Sequence, residues 1–596
     1  MNRNEMRLGT VALCTAMAAL LFSSMFAAER VRGEAPQATA WGVSSSASGS
    51  RNHAEWFPKM AEAGVTTVRL FPEWNGIERE EDLWNWDQAD TILRNAEESN
   101  LEINGILMGS PPGSQAVHTF PMENLEDWSR YVSTTVGRYK GRIEWWEVWN
   151  EGNGGFNDGR HTTADYAKLA ATTYAAAKQA NPESKIGLTV ASYDPAYLQQ
   201  AILAMKQQGR PDSFDYLCIH PYELADGLAR TDGEIPFLWM SRLMRDMLRE
   251  TAPERADAEI WITEVGSLLE NRAQRTNTEG EAAEALVKIY TLAIAQGIAR
   301  TQWFEAQDPI GEQSGFGLLD RSGSPRASYT ALKTLAKQLG PNSNYVGWVA
   351  LGPEGRGYGF VFEGPNEPLL IAWIPRGIAR ASLSFPTTVQ RVDAARGEST
   401  RLAANQPFEL GVSPVCLIGV PADLVKQARA NRDAEFPWGG EFRKAKTVSL
   451  QLGSGDTTGG IFPAGGHDRP VVTFDDGSAG VLVAGDIGNP LSFFVHPSFA
   501  GINTREYFIR VTARRVAPGN VGMNLLYETA DSQGRTPYVN SGKWFGVTAN
   551  EGWQTCTWHI KNACFAKMWG YDFVIRPEQS IPFAIGKVEV STEPFE

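Results

Sequence analysis

The sequence predicts an α/β chain: a (β/α)8 TIM barrel followed by two all-β sandwich domains. Three observations carry that prediction. From residue 38 to about residue 340, eight short apolar runs alternate with amphipathic stretches, which is the element count of a (β/α)8 barrel. No Gly-rich turn follows the first apolar run, so the phosphate cradle of a doubly wound nucleotide-binding sheet is missing. After residue 340 the helical period stops, and short strand-like runs separated by Gly, Pro and Asn turns continue to the end, as in stacked antiparallel sheets.

Residues 1–35 precede the fold. Arg3 and Arg7 lead into an apolar run from Leu8 to Ala28, ahead of Glu29 and Arg30. This charge-then-apolar layout is that of an export signal, giving a secreted, periplasmic or cell-surface location as the expectation. The competing reading is an uncleaved anchor, because about 20 apolar residues can span a bilayer. Cys14 follows Leu13 and not the small residue a lipoprotein signal needs. No other stretch is apolar enough to cross a membrane, so no membrane contact is expected beyond this segment.

The barrel is expected over 36–340. Its strand runs are 40–44, 66–74, 103–111, 143–151, 185–192, 214–222, 259–266 and 299–308, with helical patterns such as 52–63, 87–99, 125–139, 163–180, 236–251 and 280–296 between them. Residues 341–425 read as an accessory sandwich, 426–447 as a charged irregular linker, and 448–596 as a larger sandwich of jelly-roll size. Of the five cysteines, Cys218 and Cys416 lie in apolar runs, whereas Cys556 and Cys564 are near neighbours in a β-rich segment. Either a disulfide between the latter two or two buried thiols fits an exported chain. No Cys/His spacing matches a zinc site, so no metal or cofactor is expected.

Composition narrows the function. With 42% hydrophobic and 21% charged residues in 596, the chain is too apolar for general disorder. A net charge of -14 argues against a nucleic-acid scaffold, which would need a basic face. The 19 Trp residues fit sugar binding, since indole rings stack on the C–H faces of sugars, and they fit a Trp-rich core equally well.

In such a barrel, chemistry collects at the C-terminal ends of the strands. The fourth run ends Trp146-Glu147-Val148-Trp149-Asn150-Glu151-Gly152, and the seventh ends Ile262-Thr263-Glu264-Val265-Gly266. Each finishes in a carboxyl group where the rim begins, facing the other across the mouth. Glycosidic bond cleavage needs such a pair, one acid for the leaving oxygen and one carboxylate for the anomeric carbon. Like charges that close must titrate apart, so Glu151 is expected to be neutral and Glu264 ionised. Glu305 and Asp308 on the eighth run are rival carboxylates, and Trp74 and His118 are candidates to line the cleft.

Asn150-Glu151 after the fourth strand and Glu264 after the seventh resemble the clan A retaining glycoside hydrolases, most of all family 39 and family 5-like members. The resemblance covers residues 38–340. It implies Glu151 as general acid/base, Glu264 as nucleophile and Asn150 as partner of the substrate 2-hydroxyl. It further implies Arg69 beside the nucleophile, His220 and Tyr222 as groups that orient it, and Trp303 as a sugar-stacking indole. Many relatives carry Pro after the acid/base, where this chain has Gly152. The last sandwich is similar to a carbohydrate-binding module, with Trp544, Trp553, Trp558 and Trp569 as candidate stacking rings. The expected function is an exported retaining glycoside hydrolase acting on a β-linked oligo- or polysaccharide. The alternative is a non-catalytic glycan-binding or cell-surface protein on the same barrel.

Overall fold

Alternation of apolar strands with amphipathic helices closes into a barrel, as the pattern demands. The computed structural model describes residues 41–596 apart from 115–117, 231–232, 270–276, 310–314, 454–456, 465–468, 484–489, 520, 531–537, 549–551 and 579–580; the predicted export signal lies outside the described residues. The barrel strands are β1 (Trp41–Ser44), β2 (Thr67–Arg69), β3 (Glu102–Leu107), β4 (Trp145–Val148), β5 (Lys185–Ala191), β6 (Tyr216–His220), β7 (Glu259–Val265) and β8 (Arg300–Phe304). All are parallel, and β1 pairs with both β2 and β8 to close the ring. The outer helices are α1 (His53–Glu62), α2 (Asp87–Glu98), α3 (Leu125–Arg138), α4 (Thr163–Ala180), α5 (Pro195–Gln207), α6 (Met240–Thr251), α7 (Glu279–Ala295) and α8 (Ala327–Leu339). Capping boxes start two of them, Thr162 with Asp165 for α4 and Thr278 with Glu281 for α7, each side chain satisfying an otherwise orphaned N–H.

The barrel interior is layered by chemistry. Its floor is aromatic, with Trp145 and Tyr216 each 4.6 Å from Trp261 by ring centroid. Arg300 covers Trp261 at 4.5 Å and pairs with Glu102. Above the floor lies a polar layer in which Glu147 accepts from Arg69, Asn104 and Thr189. The reactive rim stands on that layer.

The accessory sandwich holds a six-stranded antiparallel sheet and a two-stranded one, from Tyr345–Leu351 to Val415–Ile418. The linker expected over 426–447 is irregular from 432 to 446, after an opening stretch of helix. A helix spans Ala422–Asn431 and packs on the strand Tyr345–Leu351, where a Cβ at Gly347 (φ 154) would overlap the Ala428 carbonyl. Further on, Trp438 is buried against Tyr358, Phe360 and Trp348. Its charged residues face solvent, and that charge masked the helical period.

Two antiparallel sheets, of seven and six strands, form the C-terminal sandwich. It is docked rather than tethered. Phe462 and Phe494 pack with Ile235 and Trp239 of the barrel, and Ile502, Cys564 and Ala566 join the barrel's own contiguous core. Cys556 and Cys564 are both free and buried, so of the two readings left open by the sequence the structure has the buried thiols. Cys556 lies within the extended strand Gln554–Ala563 and Cys564 directly follows it. At about 3.3 Å per residue they stand well beyond the roughly 7 Å Cα limit of a disulfide.

Candidate active site

Two backbone devices aim the carboxyl groups. At the end of β4 the chain leaves the strand through Trp149 (φ 64) and Glu151 (φ 49), left-handed conformations that cost a non-glycine residue about 1 kcal/mol or more. They swing Glu151 over the barrel mouth. At the end of β7 the register slips: Thr301 pairs with Ile262, but Trp303 pairs with Val265. This one-residue bulge gives two consecutive side chains, Thr263 and Glu264, an inward direction that strict alternation would deny to one of them.

The carboxyl groups then meet around His220. One ligand-type atom from each of Glu151, His220 and Glu264 lies within 4.8 Å of the others. Glu264 is bound on both oxygens: the Arg69 guanidinium donates to Oε1, and the Tyr222 hydroxyl donates to Oε2 at 2.8 Å. Arg69 also donates to Glu147 at 3.0 Å and, through Nη2, to the Asn150 carbonyl oxygen at 2.7 Å. Burial alone would lower its pKa, but Glu147 and Glu264 together raise it above its ordinary value, so the guanidinium stays charged. Glu151 is the other kind of carboxyl. Burial raises its pKa, and the more distant Arg69 offsets this only in part. His220, buried and pushed down to about 4 chiefly by burial, is neutral at pH 7. Its Nδ1 lies 2.9 Å from Glu151 Oε1 and its Nε2 lies 3.1 Å from the Thr263 hydroxyl.

The same three residue types could ligate a metal ion in principle. Here the Arg69 guanidinium already provides the positive charge beside Glu264, and a divalent ion there would face a permanent like charge.

Most of the residues singled out in the sequence gather here: Glu151, Glu264, Asn150, Arg69, His220 and Tyr222. The expectation for Arg69 as nucleophile partner and its rival, a tie to Glu147, are both realised in one side chain. His220 is closer to the acid/base, at 2.9 Å, than to Glu264, at 3.8 Å. Trp303 does not join the cleft. It is fully buried and donates to the Phe316 carbonyl, because alternation along β8 turns Gln302 and Phe304 inward and Trp303 outward. Phe304 and Phe316 line the cleft in its place. Trp74 is buried against Trp128 and Tyr131, while His118 does reach the cleft. Of the rival carboxylates, Asp308 is tied to Arg326 and Glu305 to Ser46.

The cleft is a cavity of about 1150 Å³ running from Ser46 and Glu73 past Phe304 to Glu223. Glu223 went unnoticed in the sequence, where it is one acidic residue after Tyr222. Its Oε1 accepts from Ser192 at 3.0 Å, and its Oε2 is buried. Burial first, and the Glu151 and Asp226 charges after it, push its pKa up to about 7.

With this geometry in hand, known proteins sharpen the assignment. Residues 42–201 match the family model Glycosyl hydrolase family 10. That match lies within the barrel and covers its β1 to α5 part. Endo-1,4-beta-xylanase 3 of Hypocrea jecorina is 28% identical over 146 residues, 23% of this chain and 41% of that protein. The chain thus spans about two-fifths of the length of the curated relative it matches. Among solved structures, a family 39 glycoside hydrolase from Bacteroides cellulosilyticus WH2 is similar over 65% of this chain and 81% of its own, with TM-score 0.52 and 19% identity. That likeness is one of fold. A family 39 beta-xylosidase from Caulobacter crescentus matches over 66% of this chain and 98% of its own, at TM-score 0.48 and 15% identity. The sequence similarity is thus to family 10 over part of the barrel, and the similarity to the family 39 structure is one of fold.

Proposed function

We propose that the protein hydrolyses β-linked oligo- or polysaccharides with retention of anomeric configuration. The observation that carries this reading is the Glu151–Glu264 approach, with carboxylate oxygens within 4.8 Å. Retaining enzymes hold their pair about 5–5.5 Å apart, whereas inverting ones leave roughly 6.5–9.5 Å for a water.

In the first step a Glu264 oxygen attacks the anomeric carbon as the bond to the leaving oxygen breaks, and Glu151 gives that oxygen its proton. The raised affinity of Glu151 for a proton suits it to this step, and Arg69 and Tyr222, each donating to one Glu264 oxygen, hold that carboxyl group aimed. In the second step the Glu151 carboxylate takes a proton from water. The hydroxide so formed attacks the same carbon from the vacated face and releases Glu264. Asn150, with its carbonyl fixed by Arg69, is placed to offer its amide N–H to the 2-hydroxyl as charge develops on the ring.

The name of the Hypocrea jecorina relative makes β-1,4-linked xylo-oligosaccharides the first substrates to try. The test is hydrolysis of a panel of β-glycosides by the protein, with Glu264→Gln alongside and the first-formed anomer read by NMR. A β-anomer from a β-glycoside, lost in the variant, is the expected result; an α-anomer contradicts retention. Silence across the panel with glycan binding intact would favour a binding protein. Export, inferred from residues 1–35, is checked by N-terminal sequencing of protein recovered outside the cytoplasm.

A further inference from the structure

The C-terminal sandwich reaches the cleft wall through one loop. Gly570 lies against Glu223 so closely that a Cβ there would sit 3.0 Å from the Glu223 carbonyl oxygen and 3.5 Å from its Cβ. Glu223 in turn lines the cleft. The loop is fixed from behind by buried charges. Glu528 accepts from the backbone N–H of Lys567 (2.8 Å) and Met568 (3.0 Å). The Lys567 ammonium reaches Asp572 at 3.3 Å, and Asp572 accepts from the Val495 N–H. Glu528, Lys567 and Asp572 are at most 1% exposed, while Trp569 between them is 46% exposed. A rigid anchor thus displays a bare indole one residue from the contact with the cleft wall. Such a ring offers a sugar a flat apolar face.

The direction follows from the acid. Glu151 protonates the leaving oxygen, so the leaving sugar lies beyond Glu151, on the side bounded by the loops after β5 and β6. Ser192 directly follows β5, Glu223 lies in the first turn of the helix Tyr222–Arg230 that follows β6, and the two bond each other at 3.0 Å. We propose that the C-terminal sandwich completes the substrate cleft, with Trp569 stacking on a sugar ring at the leaving-group side of Glu151. The proposal rests on the glycosidase reading above.

A glycosyl fluoride has a leaving group of one atom and leaves that side empty, whereas a tetrasaccharide fills it. The experiment compares kcat/KM of the full chain and Trp569→Ala on β-xylosyl fluoride and xylotetraose, or on the same pair built from whichever sugar the parent accepts. The tetrasaccharide-to-fluoride ratio should fall at least about tenfold in Trp569→Ala, and Trp569→Phe should recover most of it. An unchanged ratio overturns the proposal, as does an equal loss on both substrates. If the parent itself shows no Glu264-dependent turnover of the fluoride, the glycosidase reading falls and the subsite with it; the failing protein, parent or variant, tells the two apart.

Discussion

Replacing Glu264 by Gln removes the charge that Arg69 and Tyr222 both address while keeping the side chain's size. Turnover should fall about 10⁴-fold or more, with the melting temperature little changed. Glu151→Gln should cost about 10²–10⁴-fold, and far less with an activated leaving group that needs no proton. It should also abolish the alkaline fall in kcat/KM, because that limb reports loss of the Glu151 proton. Glu223 gives a stability prediction. Its pKa in the folded chain, about 7, exceeds the ordinary value of 4.5, so the fold binds that proton more tightly than the unfolded chain does. Stability is then greatest below about 4.5, declines as pH rises to about 7 and is flat above, a span of up to about 3 kcal/mol. Denaturant titrations at several pH values should show Glu223→Gln lacking this decline. The Glu pair was legible because strand ends have one role in a barrel, and Asn150 and Arg69 through the family resemblance that the pair carries. Glu223 was not, since nothing local distinguishes a carboxyl that a distant sandwich will bury.

Gly152 occupies the turn that carries Glu151, and a Cβ there would meet the Tyr166 ring at 2.9 Å and Phe120 at 3.1 Å. Both rings are buried in the core and cannot retreat, so the turn must move. Gly152→Ala should lower kcat by roughly ten- to a hundredfold, because a shift of about 1 Å in an acid costs that much, while oligosaccharide binding to the Glu264→Gln background changes less. The packing of Tyr166 also explains why a glycine stands here. Strand and helix order was legible from periodicity, yet the strand runs were read too long: 66–74 contains only Thr67–Arg69 as strand. The extra apolar residues, Leu70 and Phe71, belong to the rim and the outer layer. The bulge on β7 left no trace in the sequence, and with it went the reason that Thr263 and Glu264 serve together. Trp303 was misplaced by one position of alternation, since a strand-end aromatic pair, Trp303-Phe304, does not say which ring faces in.

The molecule behaves as one body because its modules share apolar surface. Phe494 is 2% exposed and stacks on Phe462 at 5.0 Å beneath Ile235 and Trp239. Phe494→Ala should remove about 3–5 kcal/mol from that junction and split a single calorimetric transition into two, the sandwich melting first. A variant that melts in one transition at the parent temperature would show that the junction contributes little. That antiparallel sheets follow the barrel was legible from the change of period at residue 340; the docking was not, because interface residues such as Ile502 and Ala566 look like any other core residue. Their membership of the barrel's core has a bearing on truncation. A chain cut short before Ile502 would therefore lack the side chains that complete this core and would leave apolar surface of the barrel uncovered.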